Sequence, residues 1–115
     1  MTYVVGFLLA VPEANKERYI KSAREAWPLF KNYGALQQVE TWGADIQDGK
    51  TTDFKRAVKL EEGEQVVFSW IVWPDRATAD AAWEKMKDDP AMKDMDMPFD
   101  GKRMIWGGFD PVFES

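Results

Sequence analysis

The chain has 115 residues, of which 45% are hydrophobic and 30% charged, with 15 basic against 20 acidic side chains and a net charge of −5. That length predicts one domain, residues 1–115, and the acidic balance excludes a general nucleic-acid binder, which needs a basic face for phosphates. Cysteine and histidine are both absent, which removes disulfides, thiolate nucleophiles, Cys- or His-based metal centres and the commonest general base.

Residues 2 to 11, TYVVGFLLAV, read as a first strand ending at Pro12, with apolar side chains on both of its faces. The run is too short to span a membrane and lacks the basic leader of a signal peptide, so a cytoplasmic protein without a membrane partner is expected. From Glu13 to Tyr33 the period becomes helical, with Tyr19, Ile20, Ala23, Trp27, Phe30 and Tyr33 on one stripe. Asn15 is expected near its start as a cap, Pro28 as a kink or break, and Gly34 as its end.

LQQVETWGADI, residues 36 to 46, has the more polar character of an edge strand. Residues 47 to 65 are irregular, with turn signals at Asp48-Gly49 and at residues 61 to 64. FKRAVKL within them fits a short helix or a strand. VVFSWIVW, residues 66 to 73, is a strand with two apolar faces. Asp75 then caps a helix through residue 89 that buries Ala79, Ala82, Trp83 and Met86. AMKDM adds one further turn, and Asp100-Gly101 launches a last strand from Lys102 to Phe109.

Two strand-helix-strand units in this order predict an α+β fold, the ferredoxin-like βαββαβ subunit with an antiparallel four-stranded sheet. Two helices cover one face of such a sheet. Apolar residues on the other face predict a second copy there, forming a dimeric α+β barrel.

Other signals are weak when weighed individually. Gly101-Lys102 lacks the distant glycine and the following Ser or Thr of a phosphate loop. Asp94, Asp96 and Asp100 imitate a calcium loop until Pro98 falls on a ligand position, so no metal is expected. The six Trp, seven Phe and three Tyr are a different matter. Trp42, Trp70 and Trp106 lie on strands, where they suit core packing or the wall of a cavity. Arg103, at the start of the last strand, reads as solvent-exposed at the strand end or, alternatively, as a cation for that cavity, paired with Asp45.

The segments YVVGFLLAVPEANKERY, YGALQQVETWGADIQDGK, VVFSWIVWPD and MPFDGKRMIWGGF together resemble the YbaA-like family of small uncharacterised bacterial proteins. The resemblance spans nearly the whole chain and implies dimeric α+β barrels of ferredoxin-like subunits. By fold alone it also implies kinship with cofactor-independent monooxygenases of quinol-like aromatics, with haem-degrading enzymes and with stress-response proteins. Haem is disfavoured in a chain without His or Cys, and no cofactor is expected.

The expected function is that of an uncharacterised homodimer binding a small aromatic or apolar molecule in a Trp-lined cavity, with Trp42, Trp70, Arg103 and Trp106 as ligand-binding residues. One alternative is a cofactor-independent monooxygenase or isomerase of an activated aromatic, using Asp45 or Tyr3 as base and Arg103 to stabilise negative charge. Another is a purely structural dimer with no ligand site.

Overall fold

The computed structural model describes residues 2–115. Strand β1 (Tyr3–Pro12) leads through a single 3-10 turn into α1 (Lys16–Asn32), followed by β2 (Gln37–Trp42) and a short α2 (Phe54–Ala57). Strand β3 (Glu64–Trp73), α3 (Arg76–Met86), a one-turn α4 (Pro90–Lys93) and β4 (Ile105–Phe109) complete the chain. The sheet order is β2-β3-β1-β4, antiparallel throughout, which is the ferredoxin-like arrangement.

Register and alternation decide what each face carries. Val5 opposes Ile71 and Leu9 opposes Val67 across β1 and β3, and these side chains point toward α1 and α3. With Trp73 from the sheet, Ala26 and Phe30 from α1, and Ala79, Ala82 and Met86 from α3, they form the core. Each large apolar side chain buried there stabilises the fold by about 1.5–3 kcal/mol.

The buried stripe of α1 is Tyr19, Ser22, Ala26 and Phe30, rotated from the expected one, and Ile20 is exposed. The rotation is possible because Ser22 donates a hydrogen bond to the Asp96 backbone carbonyl, which satisfies its hydroxyl in the interior. Asn15 precedes the helix, but its side chain donates to the Pro98 carbonyl at 3.1 Å and makes no cap. Pro28 does not break α1, because it sits on the exposed side, where water can reach the carbonyl that its missing N–H leaves free. Gly34, at φ +108°, ends the helix as expected. Asp75 accepts from the Thr78 N–H at 2.7 Å and starts α3.

The segment 54–60 is helical at its start and then folds across the face of the sheet away from α1 and α3. There Val58 and Leu60 cover Ala10 and Val66. The rest of that face is open and mostly apolar, with Gln37 and Thr41 as the polar residues that β2 adds to it. Val4, Leu8, Val39, Trp70 and Val72 are half-buried on it, and Phe68, Ile105 and Phe109 are 44%, 46% and 62% exposed. Gly6 and Gly107 are paired in register there, and the Phe109 ring lies over both.

The chain folds into a slab of 37 × 36 × 22 Å. It exposes 7687 Å², against about 6,400 Å² for a compact monomer of this mass. The uncovered sheet face and the exposed C-terminal residues, with Val112 and Phe113 98% and 82% exposed, both contribute to the excess.

Candidate functional site

Between the sheet and its helices lies a hollow of about 180 Å³. α1 contributes Tyr19 and Ala23, β1 contributes Phe7, and Trp83 stands over it from α3. The stretch after α3 closes one side with the thioethers of Met92, Met95, Met97 and Met104. The walls are aromatic and aliphatic because both helices turn their apolar stripes inward here.

One pole of the hollow is polar. β2 alternates, so Gln38, Glu40 and Trp42 all point to the helix side. The Tyr19 hydroxyl donates to Glu40 Oε1 at 2.5 Å, and Gln38 Nε2 donates to Glu40 Oε2 at 3.0 Å and to the Ala23 carbonyl at 3.3 Å. Burial raises the Tyr19 phenol well above its ordinary range, with the adjacent Glu40 charge and hydrogen bond adding to the effect. Tyr19 is therefore a neutral donor at any physiological pH. Two further polar atoms on the lining residues, Gln38 Oε1 and Trp83 Nε1, are buried without a hydrogen-bond partner among the described residues.

The structure separates the residues singled out in the sequence. Trp42 lies on the helix side of β2, with Lys16 Nζ 5.2 Å from its ring centre. Trp70 is on the opposite face, edge-on to Phe68 at 5.5 Å. Trp106 is on the helix side of edge strand β4 and 66% exposed; it walls a shallow hollow of about 210 Å³ that shares Phe7, Trp83 and Met104 with the first. The three tryptophans thus do not meet in one cavity.

Tyr3 lies across β4, where a Cβ on Gly108 would overlap its hydroxyl, and the Arg76 guanidinium stands 6.0 Å from its ring. Asp45 is exposed beyond β2 and accepts from Gln47. None of Tyr3, Asp45 and Arg103 lines the interior hollow.

Arg103 occupies a 3-10 turn, not the start of β4, and its partner is not Asp45. Its guanidinium makes a bidentate contact with Glu64, 2.7 Å to each oxygen, and donates to Asp100 at 3.0 Å and to the Lys59 carbonyl at 3.0 Å. It latches the turn before β4 onto the start of β3. The Arg103 hydrogen bonds hold the Glu64 carboxyl below its usual range. A carboxyl with a depressed folded pKa contributes stability above its unfolded pKa, and loses it as pH falls through the folded value. The wild type should therefore lose stability on acidification below about pH 4.3. Arg103→Met should lower Tm at pH 7 and flatten that acid limb, measured by thermal melts from pH 7 to 2. Asp53, Asp75 and Asp89 are held low by other hydrogen bonds and keep part of the limb, so an entirely unchanged limb would exclude the latch as a contributor.

Sequence reasoning passes over Gln38, Glu40 and Ser69, which lines the hollow from β3 opposite Glu40, and assigns Tyr19 and Trp83 only to packing. A faint signal exists in β2, where Gln38 and Glu40 sit two residues apart on the side that β3 requires to face inward.

The chain matches the model of a family described as "Protein of unknown function (DUF1428)" over residues 2–101. It is 54% identical over 117 residues to the uncharacterised protein YbaA of Escherichia coli strain K12, with full coverage of both chains. The YbaA of Shigella flexneri matches at the same 54% identity and coverage. Among solved structures it is similar to a dimeric ferredoxin-like protein from an uncultured marine organism, with TM-score 0.63 at 12% identity over 99% of this chain and 98% of that one. It is also similar to SnoaB, a cofactor-independent oxygenase from Streptomyces nogalater, with TM-score 0.50 at 11% identity over 98% and 95% of the two chains. At these identities the likeness is one of fold.

Proposed function

We propose, for a chain that belongs to the DUF1428 family of proteins of unknown function and is YbaA-like along its whole length, a cytoplasmic homodimer. Each protomer binds a small aromatic or apolar molecule between its sheet and its helices. The observation that carries the binding reading is the hollow of about 180 Å³ whose apolar walls converge on one polar pole at Tyr19 and Glu40. Ligand sites have that character, many apolar contacts with a few fixed polar groups. The volume is below the ~300 Å³ at which sites for drug-sized ligands begin, so the ligand is compact.

In this reading the aromatic residues singled out above have separate duties. Trp106 walls the outer hollow beside Trp83, and Trp42 stands two residues beyond Glu40 on the same side of β2. Trp70 belongs to the open face on which the second copy sits, and Arg103 fastens the segment that carries Met104. Pairing of two copies is supported by the bare apolar face, by the excess surface of the protomer and by the dimeric solved relative.

Thermal-shift screening with single-ring aromatics and short apolar compounds tests the binding reading. Tm should rise with the concentration of at least one of them, because a ligand bound only by the folded state stabilises it by mass action. Ala23→Phe, which fills the hollow from α1, should abolish the rise. A flat response across the whole set would leave the aromatics as packing only.

A further inference from the structure

We infer that the ligand is an organic cation, a compact ammonium on an aromatic or alkyl body, with its charge seated against Glu40. The inference rests on the binding reading above and specifies the chemistry at the polar pole.

The lining of the hollow contains one carboxylate, that of Glu40, and no Lys or Arg. Both of its described hydrogen bonds come from neutral donors, the Tyr19 hydroxyl and the Gln38 amide. They occupy two of about four acceptor positions on the carboxylate and leave its charge uncompensated. Elsewhere in the chain acids near this region are paired, Asp96 with Arg18, and Glu64 and Asp100 with Arg103. No ion pair within 4 Å joins Glu40 to a described cation. Lys16, three residues before Tyr19 on α1, is directed over the Trp42 ring.

The three ligand charge types therefore differ sharply. An anion entering the hollow would meet the Glu40 charge with no cation to offset it. A neutral molecule seated against the carboxylate would displace part of its water without offering an opposite charge in return. An ammonium supplies both the opposite charge and N–H donors for the free lone pairs.

The aromatic walls suit the body of such a ligand. Phe7, Phe30 and Trp83 are arranged edge to face, with centroids 6.4 and 6.1 Å from Trp83. Rings so arranged offer an apolar wall to the aromatic or alkyl body of the ligand. Glu40 is exposed as a residue, so it lies at the mouth of the hollow. The ligand body thus enters first, and the charged head stays at the rim, half-hydrated.

Three isosteric probes test this on the full chain: 2-phenylethylamine, 2-phenylethanol and phenylacetate, titrated at pH 7 by tryptophan fluorescence and calorimetry. The amine should bind about tenfold or more tightly than the alcohol, as expected for one charge-assisted hydrogen bond. Phenylacetate should bind least. E40Q should bring the amine to the level of the alcohol. Added salt should weaken the amine and leave the alcohol unchanged, a readout that does not depend on the variant folding.

An alcohol that binds as well as the amine overturns the cation assignment while leaving a ligand-binding hollow in place. So does a preference that survives in E40Q, or amine binding indifferent to salt. Absence of binding by all three probes would overturn the assignment and the binding reading together.

Discussion

The Phe68→Glu variant is expected to sediment as a 13.2 kDa protomer at micromolar concentration, where the wild type is expected to sediment at twice that mass. Phe68 lies on the open face of β3, edge-on to Trp70 at 5.5 Å and to Phe54 at 6.1 Å. Two-fold pairing of these faces would bring both copies of residue 68 into one apolar interface. A glutamate there removes a buried aromatic, worth about 1.5–3 kcal/mol. It also introduces an unpaired buried charge, costing about 3–5 kcal/mol. Either change is doubled by symmetry, so the dimer should weaken by at least about a thousandfold. The protomer itself should keep its far-UV circular dichroism, because Phe68 is 44% exposed within it. A wild type that sediments only as the protomer, or a variant that stays dimeric, would exclude the sheet face as the interface.

The second large effect is expected from Trp83→Ala. Trp83 packs edge to face against Phe7, Phe30 and Trp73 at centroid distances of 6.4, 6.1 and 6.3 Å, and walls both hollows on the helix side. Its indole N–H has no hydrogen-bond partner among the described residues, so the substitution removes packing and none of the described hydrogen bonds. Truncating a Trp of this kind costs about 3–5 kcal/mol. For a domain near this size that lowers Tm by roughly 12 °C or more. The enlarged hollow is apolar, and such cavities take up aromatic guests. Millimolar indole should therefore restore part of the lost Tm in the variant and do much less in the wild type. A destabilisation below about 1 kcal/mol, or one that indole leaves untouched, would mean that Trp83 does not organise the hollow.

Much of the fold is written in local pattern. The apolar run of β3, the Asp75 cap of α3 and the Gly34 stop of α1 are each legible within a few residues. So is the ferredoxin-like order, because two strand-helix-strand units separated by an irregular link admit few other sheets. Boundaries suffered where a distant contact intervened. The expected last strand included Arg103, but its contact with Glu64, 39 residues earlier in sequence, draws it into a turn. The helix stripe was rotated by Ser22, whose partner is the carbonyl of Asp96 on a segment 74 residues away.

The site was harder to see for the same reason. A tryptophan on a strand looks like a cavity wall from sequence, but alternation and register place Trp70 on one face and Trp42 and Trp106 on the other. Arg103 looks like a free cation until Glu64 and Asp100 are brought to it. Glu40 looks like an ordinary edge-strand acid until α1 lays Tyr19 against it.

The amino-acid sequence by itself determined the class of fold, the absence of Cys and His chemistry, and the apolar second face of the sheet. Periodicity and composition act over a turn or a strand, and they needed no partner from elsewhere in the chain. Only the tertiary structure decided which polar groups meet. Tyr19 and Glu40 are 21 residues apart, and they touch because antiparallel pairing aims β2's alternating side chains at the buried stripe of α1.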